Sequence, residues 1–339
     1  MAATTCEVLG NSDMYGLGIR IGFYLQWMSS PAAAWIAPGE TSSLRTANAF
    51  FVSATFIGLS IETALNHLDV TEIYVILLLA FGAQYSWLIA MLWRVATHFN
   101  ADWDPTRHMK TPTTSKMFWF LYTIVQIVQI VFQLWFWLYK IPKTDNECAR
   151  FGFAFVRVRL TSNGFRIFNI LLMVVLLVLT VVFFALHFRQ LWRQGRLPQL
   201  NNAAPMTIAQ VRKKRARDRI REKREKVLCI IETGFRVATG AMVILVTELT
   251  IAWNKIQGVN DTKSVGQLIP LMIGVGGIGH VLLVAIREAI KGPKPVEGTV
   301  QGRSYDEPYN IIRLAMSAQP NRERLSRYFS SASDMTEVE

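Results

Sequence analysis

The chain has 339 residues, of which 51% are hydrophobic and 18% are charged, and its formal net charge is +12. A soluble chain usually carries about 25% charged residues, and here long apolar runs replace the missing charge. This composition excludes a soluble two-domain enzyme, a disulfide-stapled secreted module and a disordered protein. It indicates a polytopic membrane protein.

Seven apolar runs predict transmembrane helices, because each is close to the roughly 20 residues that cross a bilayer. In chain order they are 14–37, 46–65, 73–93, 117–138, 167–188, 237–253 and 268–286. The first is the weakest, because Arg20, Gln26 and Pro31 interrupt it. Runs of this length are typical of helices rather than barrel strands, so the predicted fold is all-α, a bundle of seven transmembrane helices.

Lysine and arginine predict which ends of the helices face the cytoplasm. With the amino terminus outside, the predicted cytoplasmic segments hold 26 of these residues and the outside segments hold 8. Six of the 8 lie between helices four and five, which argues weakly against this orientation. We expect an extracytoplasmic segment over 1–13, a membrane domain over 14–290 and a disordered cytoplasmic tail over 291–339. The membrane is expected to be the plasma membrane or an endomembrane.

Two features of the predicted outside segments fit this orientation. Cys6 and Cys148 both fall outside, where a disulfide can form, and the alternative is two unpaired thiols. Cys229 falls at the cytoplasmic end of helix six. The sequon that starts at Asn260 predicts N-glycosylation in the last outside loop, although matches of three residues are common by chance.

The positive charge is concentrated in one cytoplasmic run, RKKRARDRIREKREK over 212–226, which has ten basic and three acidic residues. It predicts a charged helix over 205–226 that continues into helix six. The functional interpretation is contact with anionic lipid headgroups, worth about 1 kcal/mol per basic residue near the surface. The residues expected to make this contact are Arg212, Lys213, Lys214, Arg215 and Arg217. The alternative is plain positive-inside topology, and nucleic-acid binding is disfavoured because the run is tethered beside a membrane.

Charged or titratable side chains at bilayer depth are costly, so they are candidates for function. They are Arg20, Glu62, Glu248 and His280, and helix four adds a polar stripe of Gln126, Gln129 and Gln133. In the functional interpretation these side chains line an inward cavity that binds a ligand or passes an ion. In the structural alternative, Arg20 pairs with one glutamate and the glutamines hydrogen-bond between helices.

Small residues predict close helix packing at Gly18 and Gly22 in helix one and at GVGGIG, 274–279, in helix seven. GVGGIG formally matches a dinucleotide-binding fingerprint, but that motif needs a soluble βαβ unit, which the sequence does not predict. Such small-residue pairs also allow a homo-oligomer without requiring one. The sequence has no Walker A, HExxH, paired-cysteine or GxSxG motif, so we predict no cofactor and no metal.

Several stretches of the first five helices resemble a widespread group of uncharacterised multi-pass proteins of filamentous fungi. They are NSDMYGLGIRIGFYLQW over 11–27, SLRTANAFF, VTEIYVILLLAFG and the 148–168 segment with NGFRIF. The resemblance implies a fungal membrane protein and no particular activity. The topology is also similar to the G-protein-coupled receptor plan, but helix three ends in MLWRVATHF rather than Asp-Arg-Tyr, and helix seven lacks Asn-Pro-x-x-Tyr.

The leading hypothesis is a protein that binds or passes a small molecule or ion, as a receptor or transport protein. Arg20, Glu62, Glu248 and His280 would form its polar centre. The first alternative is an intramembrane enzyme acting on a lipophilic substrate such as an isoprenoid, with the same carboxylates as proton donor and acceptor in a cyclase-like reaction. The second is a membrane scaffold whose basic helix and tail recruit partners.

Overall fold

The computed structural model describes residues 8–98, 100, 103, 116–144, 148–153, 156–194, 208–262 and 264–291. The chain divides into two units, 1–287 and 288–339. Of the second unit, only 288–291 are described, and they end the last helix. Cys6 lies outside the described residues. The predicted tail over 291–339 also lies outside them, except for residue 291, which ends the last helix.

The described residues are mostly helical. The helices are α1 Ser12–Tyr15, α2 Leu17–Ile36, α3 Thr41–Ala64, α4 Val70–Phe81, α5 Tyr85–Ala96, α6 Lys116–Trp135, α7 Asn163–Gln194, α8 Ile208–Trp253 and α9 Val265–Lys291. Short turns of other helix types occupy Pro38–Glu40, Gly82–Gln84, Phe136–Lys140 and Ile141–Lys143. Two antiparallel strands of three residues, β1 Phe151–Phe153 and β2 Arg157–Arg159, form a hairpin that the sequence did not predict.

Six segments are long and apolar enough to cross a membrane, which makes this a multi-pass protein with an all-α membrane bundle. They are Pro38–Ala64, Val70–Ala96, Met117–Lys143, Asn163–Ala185, Lys226–Trp253 and Val265–Arg287. Helix α2, the first predicted span, is less apolar because it contains Arg20, Gln26 and Pro31. Its 20 residues still extend about 30 Å, the thickness of the hydrocarbon core.

The centre of the bundle is α4, in which all 12 side chains are buried. It begins with a capping box, in which Asp69 accepts a hydrogen bond from the first turn and Glu72 accepts one from the Asp69 backbone N–H at 2.8 Å. It ends at Gly82, where a Cβ would lie 2.5 Å from Val243 of α8 and 3.2 Å from Trp27 of α2. Glycine is required at this position because three helices meet there.

Helices α2 and α9 approach each other through glycine, as the sequence predicts. A Cβ on Gly18 would lie 2.7 Å from a backbone oxygen of α9, and a Cβ on Gly22 would lie 2.5 Å from another. A Cβ on Gly274 would lie 2.8 Å from the backbone oxygen of Gly22. The prediction of close packing is confirmed for these three positions, whereas Gly276 and Gly279 face open space.

One end of the bundle is a layer of four segments, here termed the loop cap, which comprises the described residues of 8–16, 65–72, 140–162 and 254–264. The backbone N–H of Gly10 donates to Gln257 at 2.9 Å, and the Asn254 side chain bonds both backbone groups of Phe151 at 2.8 and 2.7 Å. Helices α2, α4, α7 and α9 begin at this cap, and α3, α6 and α8 end at it. The helical segments therefore alternate in direction.

An ion pair within the loop cap joins Arg150 to Asp69, the residue that caps α4. Nη2 of Arg150 lies 2.7 Å from a carboxylate oxygen of Asp69, and both side chains are largely buried. Burial alone would raise the pKa of Asp69, but hydrogen bonds from Arg150 and from the backbone of Thr71 hold that pKa below its ordinary value. The pair therefore stabilises the fold while the carboxyl group is ionised.

Helix α8 is a single helix of 46 residues, about 69 Å long at 1.5 Å per residue. It contains both the basic run and a membrane span, and residues 205–207 of the predicted charged helix lie outside the described residues. The span begins at Lys226, so the helix extends about 27 Å beyond it. The side chains of 208–223 lie outside the described residues. They include the predicted lipid contacts Arg212, Lys213, Lys214, Arg215 and Arg217.

Candidate ligand cavity

Arg20 of α2 is completely buried and donates to three acceptors. Its Nη1 donates to a carboxylate oxygen of Glu248 in α8. Its Nη2 donates to the carbonyl oxygen of Val259 at 3.2 Å and to Oδ1 of Asn260 at 2.6 Å. The hydroxyl of Tyr24, one turn along α2, donates to the other carboxylate oxygen of Glu248 at 2.8 Å. The structure therefore brings together two residues of the predicted polar centre.

Glu62 and His280 lie apart from that ion pair, and each has a partner of its own. Glu62, near the loop-cap end of α3, places Oε2 3.0 Å from Nδ1 of His67. His280 places Nε2 3.1 Å from Oε2 of Glu40, toward the opposite end of the bundle. The four residues therefore do not form the single polar centre expected from the sequence. The tilt and rotation of separate helices determine which residues meet.

A cavity of about 290 Å³ lies among α2, α3, α4, α5, α6, α7 and α8, in the half of the bundle away from the loop cap. This volume is near the lower limit for small-molecule sites, roughly 300–1,000 Å³. Apolar and aromatic side chains form most of its wall, among them Trp27, Phe81, Trp87, Phe118, Trp119, Phe183 and Phe184. Its polar residues include Gln26, Asn48, Gln84, Tyr122, Thr123 and Gln126.

Four residues of the wall carry buried polar atoms that have no hydrogen-bond partner among the described residues. These atoms are Nε2 and Oε1 of Gln26, Nε1 of Trp27, Oδ1 of Asn48 and Nε2 of Gln126. An unpaired buried polar group costs roughly 1–3 kcal/mol, so native structures usually satisfy it with a partner or with water. Gln84 differs, because its Nε2 donates to the Tyr122 hydroxyl at 2.6 Å. These atoms are themselves covered, so a side-chain rotation would be needed to present them as donors and acceptors to a ligand in the cavity.

The glutamine stripe of α6 divides between two cavities. Gln126 lines the main cavity. Gln133, two turns further along, lines a second cavity of about 20 Å³ together with Tyr74 and Asn169, which has room for about one water molecule. Gln129 is buried between them, and neither of its amide atoms has a partner among the described residues. Only one of the three predicted glutamines therefore faces the main cavity.

A packed apolar layer separates the main cavity from the buried ion pair. Trp27 lines the cavity, and Phe23, one turn closer to the loop cap, packs against it with ring centroids 6.0 Å apart. Val243 of α8 lies one turn beyond the cavity residue Gly240 and is also buried. Passage of a polar species from the cavity toward the loop cap therefore requires these side chains to move.

Two arginines also contribute to the cavity wall, Arg45 of α3 and Arg236 of α8. Arg236 donates to Glu232, one turn earlier, at 2.9 Å. Among the lining residues in the described part of the chain, none is Asp or Glu. The carboxylates named for the cyclase alternative, Glu62 and Glu248, are therefore not among the described lining residues.

Sequence reasoning missed Gln84 and Trp87 as cavity residues. Gln84 is the one amide side chain in the apolar run over 73–93, and that isolation was the available signal. Trp87 carried no such signal, because aromatic residues are common in membrane spans whether or not they line a site.

Two of the modification sites predicted from the sequence, Cys148 and Asn260, lie in the loop cap. Cys148 is disulfide-bonded, and Cys229 is a free thiol. Because Cys6 lies outside the described residues, its pairing with Cys148 stays a prediction. Oδ1 of Asn260 accepts the hydrogen bond from Arg20, and glycosylation of this residue also stays a prediction.

No protein-family model matches this sequence, and no curated protein or solved structure is significantly similar to it. Within the described ranges, no group of three His, Cys, Asp or Glu residues is placed to hold a metal ion. Function must therefore be argued from the chemistry of the cavity.

Proposed function

We propose that this membrane protein binds a small molecule in the cavity lined by Gln26, Asn48 and Gln126, as a receptor or transport protein. The observation that carries the proposal is a mostly apolar cavity whose lining includes four residues with unpaired buried polar atoms, which side-chain rotation would turn toward a ligand. A ligand that pairs these atoms recovers the free energy that they lose when they are buried without partners. A concave, mostly apolar site with a few polar groups is typical of small-molecule binding.

Binding is better supported than passage of an ion through an open pore. The apolar layer that contains Phe23 and Val243 closes the cavity on the side of the loop cap. A transport role therefore requires a second conformation in which this layer opens. Alternating access around one central site is a general solution to that requirement.

We also propose that α2 is a seventh span and that the loop cap faces outside. Helix α2 begins at the cap, and near its other end the Trp35 indole donates to Thr233 of α8 at 2.8 Å, so it runs beside its neighbours for a full span. The excess of lysine and arginine at the opposite end supports a cytoplasmic position for the basic part of α8. A fungal origin and the identity of the host membrane stay predictions.

The basic run is further proposed to contact anionic lipid headgroups. In a straight helix, Arg217 lies about 14 Å and Arg212 about 21 Å along the axis from Lys226, where the span begins. The headgroup layer on each side of the hydrocarbon is only about 5–8 Å thick. Headgroups therefore reach the basic residues nearest the span first, and contact at Arg212 requires α8 to tilt or bend.

Ligand binding is tested by identifying what co-purifies with the protein. Wild type, Gln126→Leu and Gln133→Leu are purified in mild detergent from the same cells, and organic extracts are compared by liquid chromatography and mass spectrometry. Both substitutions replace a buried amide of α6 by an apolar side chain, but only Gln126 lines the main cavity. A compound retained by wild type and Gln133→Leu but depleted in Gln126→Leu supports the proposal. The proposal is contradicted if no compound distinguishes the two variants.

Receptor and transport roles are separated by the fate of that compound in cells. Cells that lack the gene are complemented with wild type or with Gln126→Leu, and metabolites are measured separately in cells and medium. Transport predicts an unchanged total and a shift between compartments that wild type reverses and Gln126→Leu does not. A receptor predicts no shift in either strain.

A further inference from the structure

The wall of the cavity between α5 and α7 includes a pair of aromatic side chains beside Met91, Leu179 and Thr180. The rings of Trp87 in α5 and Phe183 in α7 meet with centroids 6.3 Å apart, and both residues line the cavity. The guanidinium carbon of Arg94 lies 5.1 Å from the centroid of the Phe183 ring, on the side of α5 nearer its end. Separation of this ring pair would therefore remove one of the contacts that close the wall between α5 and α7.

This wall lies at the depth of the lipid acyl chains. Trp87 is nine residues before the end of α5 at Ala96, which is about 14 Å along the helix. The continuous span Val70–Ala96 has 27 residues and is longer than the hydrocarbon core of about 30 Å, so Trp87 lies within that core. Its side chain is nevertheless 46% exposed. The outer surface of the wall therefore contacts lipid rather than water.

The inner surface of the cavity selects for a particular ligand chemistry. The residues that line it carry three buried unpaired donors, on Gln26, Trp27 and Gln126, and two buried unpaired acceptors, on Gln26 and Asn48. Hydroxyl groups donate and accept, and carbonyl groups accept, so a molecule with such groups satisfies both kinds of atom. The remaining wall is mainly apolar and aromatic, which favours a hydrocarbon body.

We propose that the ligand is a lipophilic molecule with hydroxyl or carbonyl groups, and that it enters from the bilayer between α5 and α7. Trp87 and Phe183 form the portal, and Gln26, Asn48 and Gln126 bind the polar groups. This inference rests on the proposed function, because it assigns the ligand class and the entry route of the same cavity. A lipophilic ligand is already concentrated in the bilayer, so a lateral portal gives it direct access.

A photoreactive long-chain alkanol tests both parts of the inference. The probe carries a diazirine and a terminal alkyne and is delivered from phosphatidylcholine vesicles to the full-length protein in vesicles of the same lipid. Samples are irradiated at successive times, and labelled peptides are counted by mass spectrometry. The portal variant carries both Trp87→Ala and Phe183→Ala. If this double variant does not fold, the single variant Phe183→Leu takes its place. The matched control is Leu92→Ala with Phe168→Ala, two exposed side chains on the same helices that do not line the cavity.

The inference predicts that cavity peptides of α3 and α6 become labelled in wild type. The portal variant should label roughly two- to tenfold faster, the factor expected if opening breaks one aromatic ring pair. The control should match wild type, and Gln126→Leu should lower the final yield without raising the rate. Labelling at a rate that the portal variant leaves unchanged would overturn the portal.

The same data separate failure of this inference from failure of the proposed function. If the alkanol does not label the cavity in wild type, while a strongly polar compound co-purifies and is lost in Gln126→Leu, the ligand class is overturned and small-molecule binding stands. If no compound co-purifies in a Gln126-dependent manner and the alkanol does not label the cavity, both are overturned.

Discussion

The Arg20–Glu248 ion pair is buried on one side only, so we expect replacement of its two members to destabilise the fold by different amounts. Arg20 has no exposed surface, whereas the side chain of Glu248 is 43% exposed. Glu248→Gln keeps an acceptor beside Arg20 but removes the charge that neutralises a completely buried guanidinium. Arg20→Met removes the buried charge and leaves a partly exposed carboxylate that still accepts from Tyr24. We therefore expect Glu248→Gln to destabilise the fold more than Arg20→Met, although the latter removes more atoms.

The free energy of unfolding that each variant loses depends on which hydrogen-bond and ion-pair partners remain. Removing one member of a buried ion pair costs about 3–5 kcal/mol. Because Val259 and Asn260 still accept from Arg20, we expect the lower limit, about 3 kcal/mol, for Glu248→Gln and about 1–2 kcal/mol for Arg20→Met. The double variant should cost less than the sum, because it leaves no unpaired buried charge.

Thermal unfolding in detergent, followed by size-exclusion chromatography, measures this order. Glu62→Gln is the matched control, because its partner His67 is an exposed residue at the end of α3 and such pairs contribute only about 0–1 kcal/mol. The reasoning about burial is refuted if Arg20→Met is as destabilising as Glu248→Gln, or if the double variant equals the sum of the single variants.

The remaining predictions concern helix packing, pH and the disulfide. Gly22→Ala should lower the melting temperature because the added Cβ meets the backbone of α9 at 2.5 Å, whereas Gly276→Ala, in open space, should leave it unchanged or raise it. Equal shifts would contradict the packing argument. The lowered pKa of Asp69 means that its carboxylate stabilises the fold fully above about pH 4 and that this contribution is lost as the pH falls through the lowered value. Melting temperatures should therefore fall less steeply on acidification for Asp69→Asn than for wild type, and parallel curves would count against this account. Peptide mapping without reductant should find Cys6 linked to Cys148, and detection of Cys6 as a free thiol would contradict the pairing.

Much of the bundle follows from the sequence, because bilayer thickness fixes the length of an apolar run that crosses it. The predicted run over 73–93 lies inside the observed segment Val70–Ala96. The start of that segment was also encoded locally, since Asp69 and Glu72 have the spacing of a capping box. The β1–β2 hairpin was not predicted, because its strands have only three residues each and alternate too briefly to give a signal.

The candidate site is predicted less well than the spans. Helical periodicity places Gln126, Gln129 and Gln133 along one polar stripe, but it does not say which helix each residue meets. The structure puts Gln126 and Gln133 in different cavities. Likewise, Glu62 pairs with His67 near one end of the bundle, and His280 pairs with Glu40 near the other end. Such contacts depend on the tilt and rotation of neighbouring helices, which no pattern within a single helix contains.

The central claim is that the cavity holds a small molecule, and a crystal structure of the protein purified from its own cells in a lipid mesophase tests it directly. The account predicts non-protein density in the cavity, with polar atoms about 3 Å from the amide groups of Gln26 and Gln126. A cavity that contains only water, or one that is closed with both amides bonded to protein groups, would contradict the account.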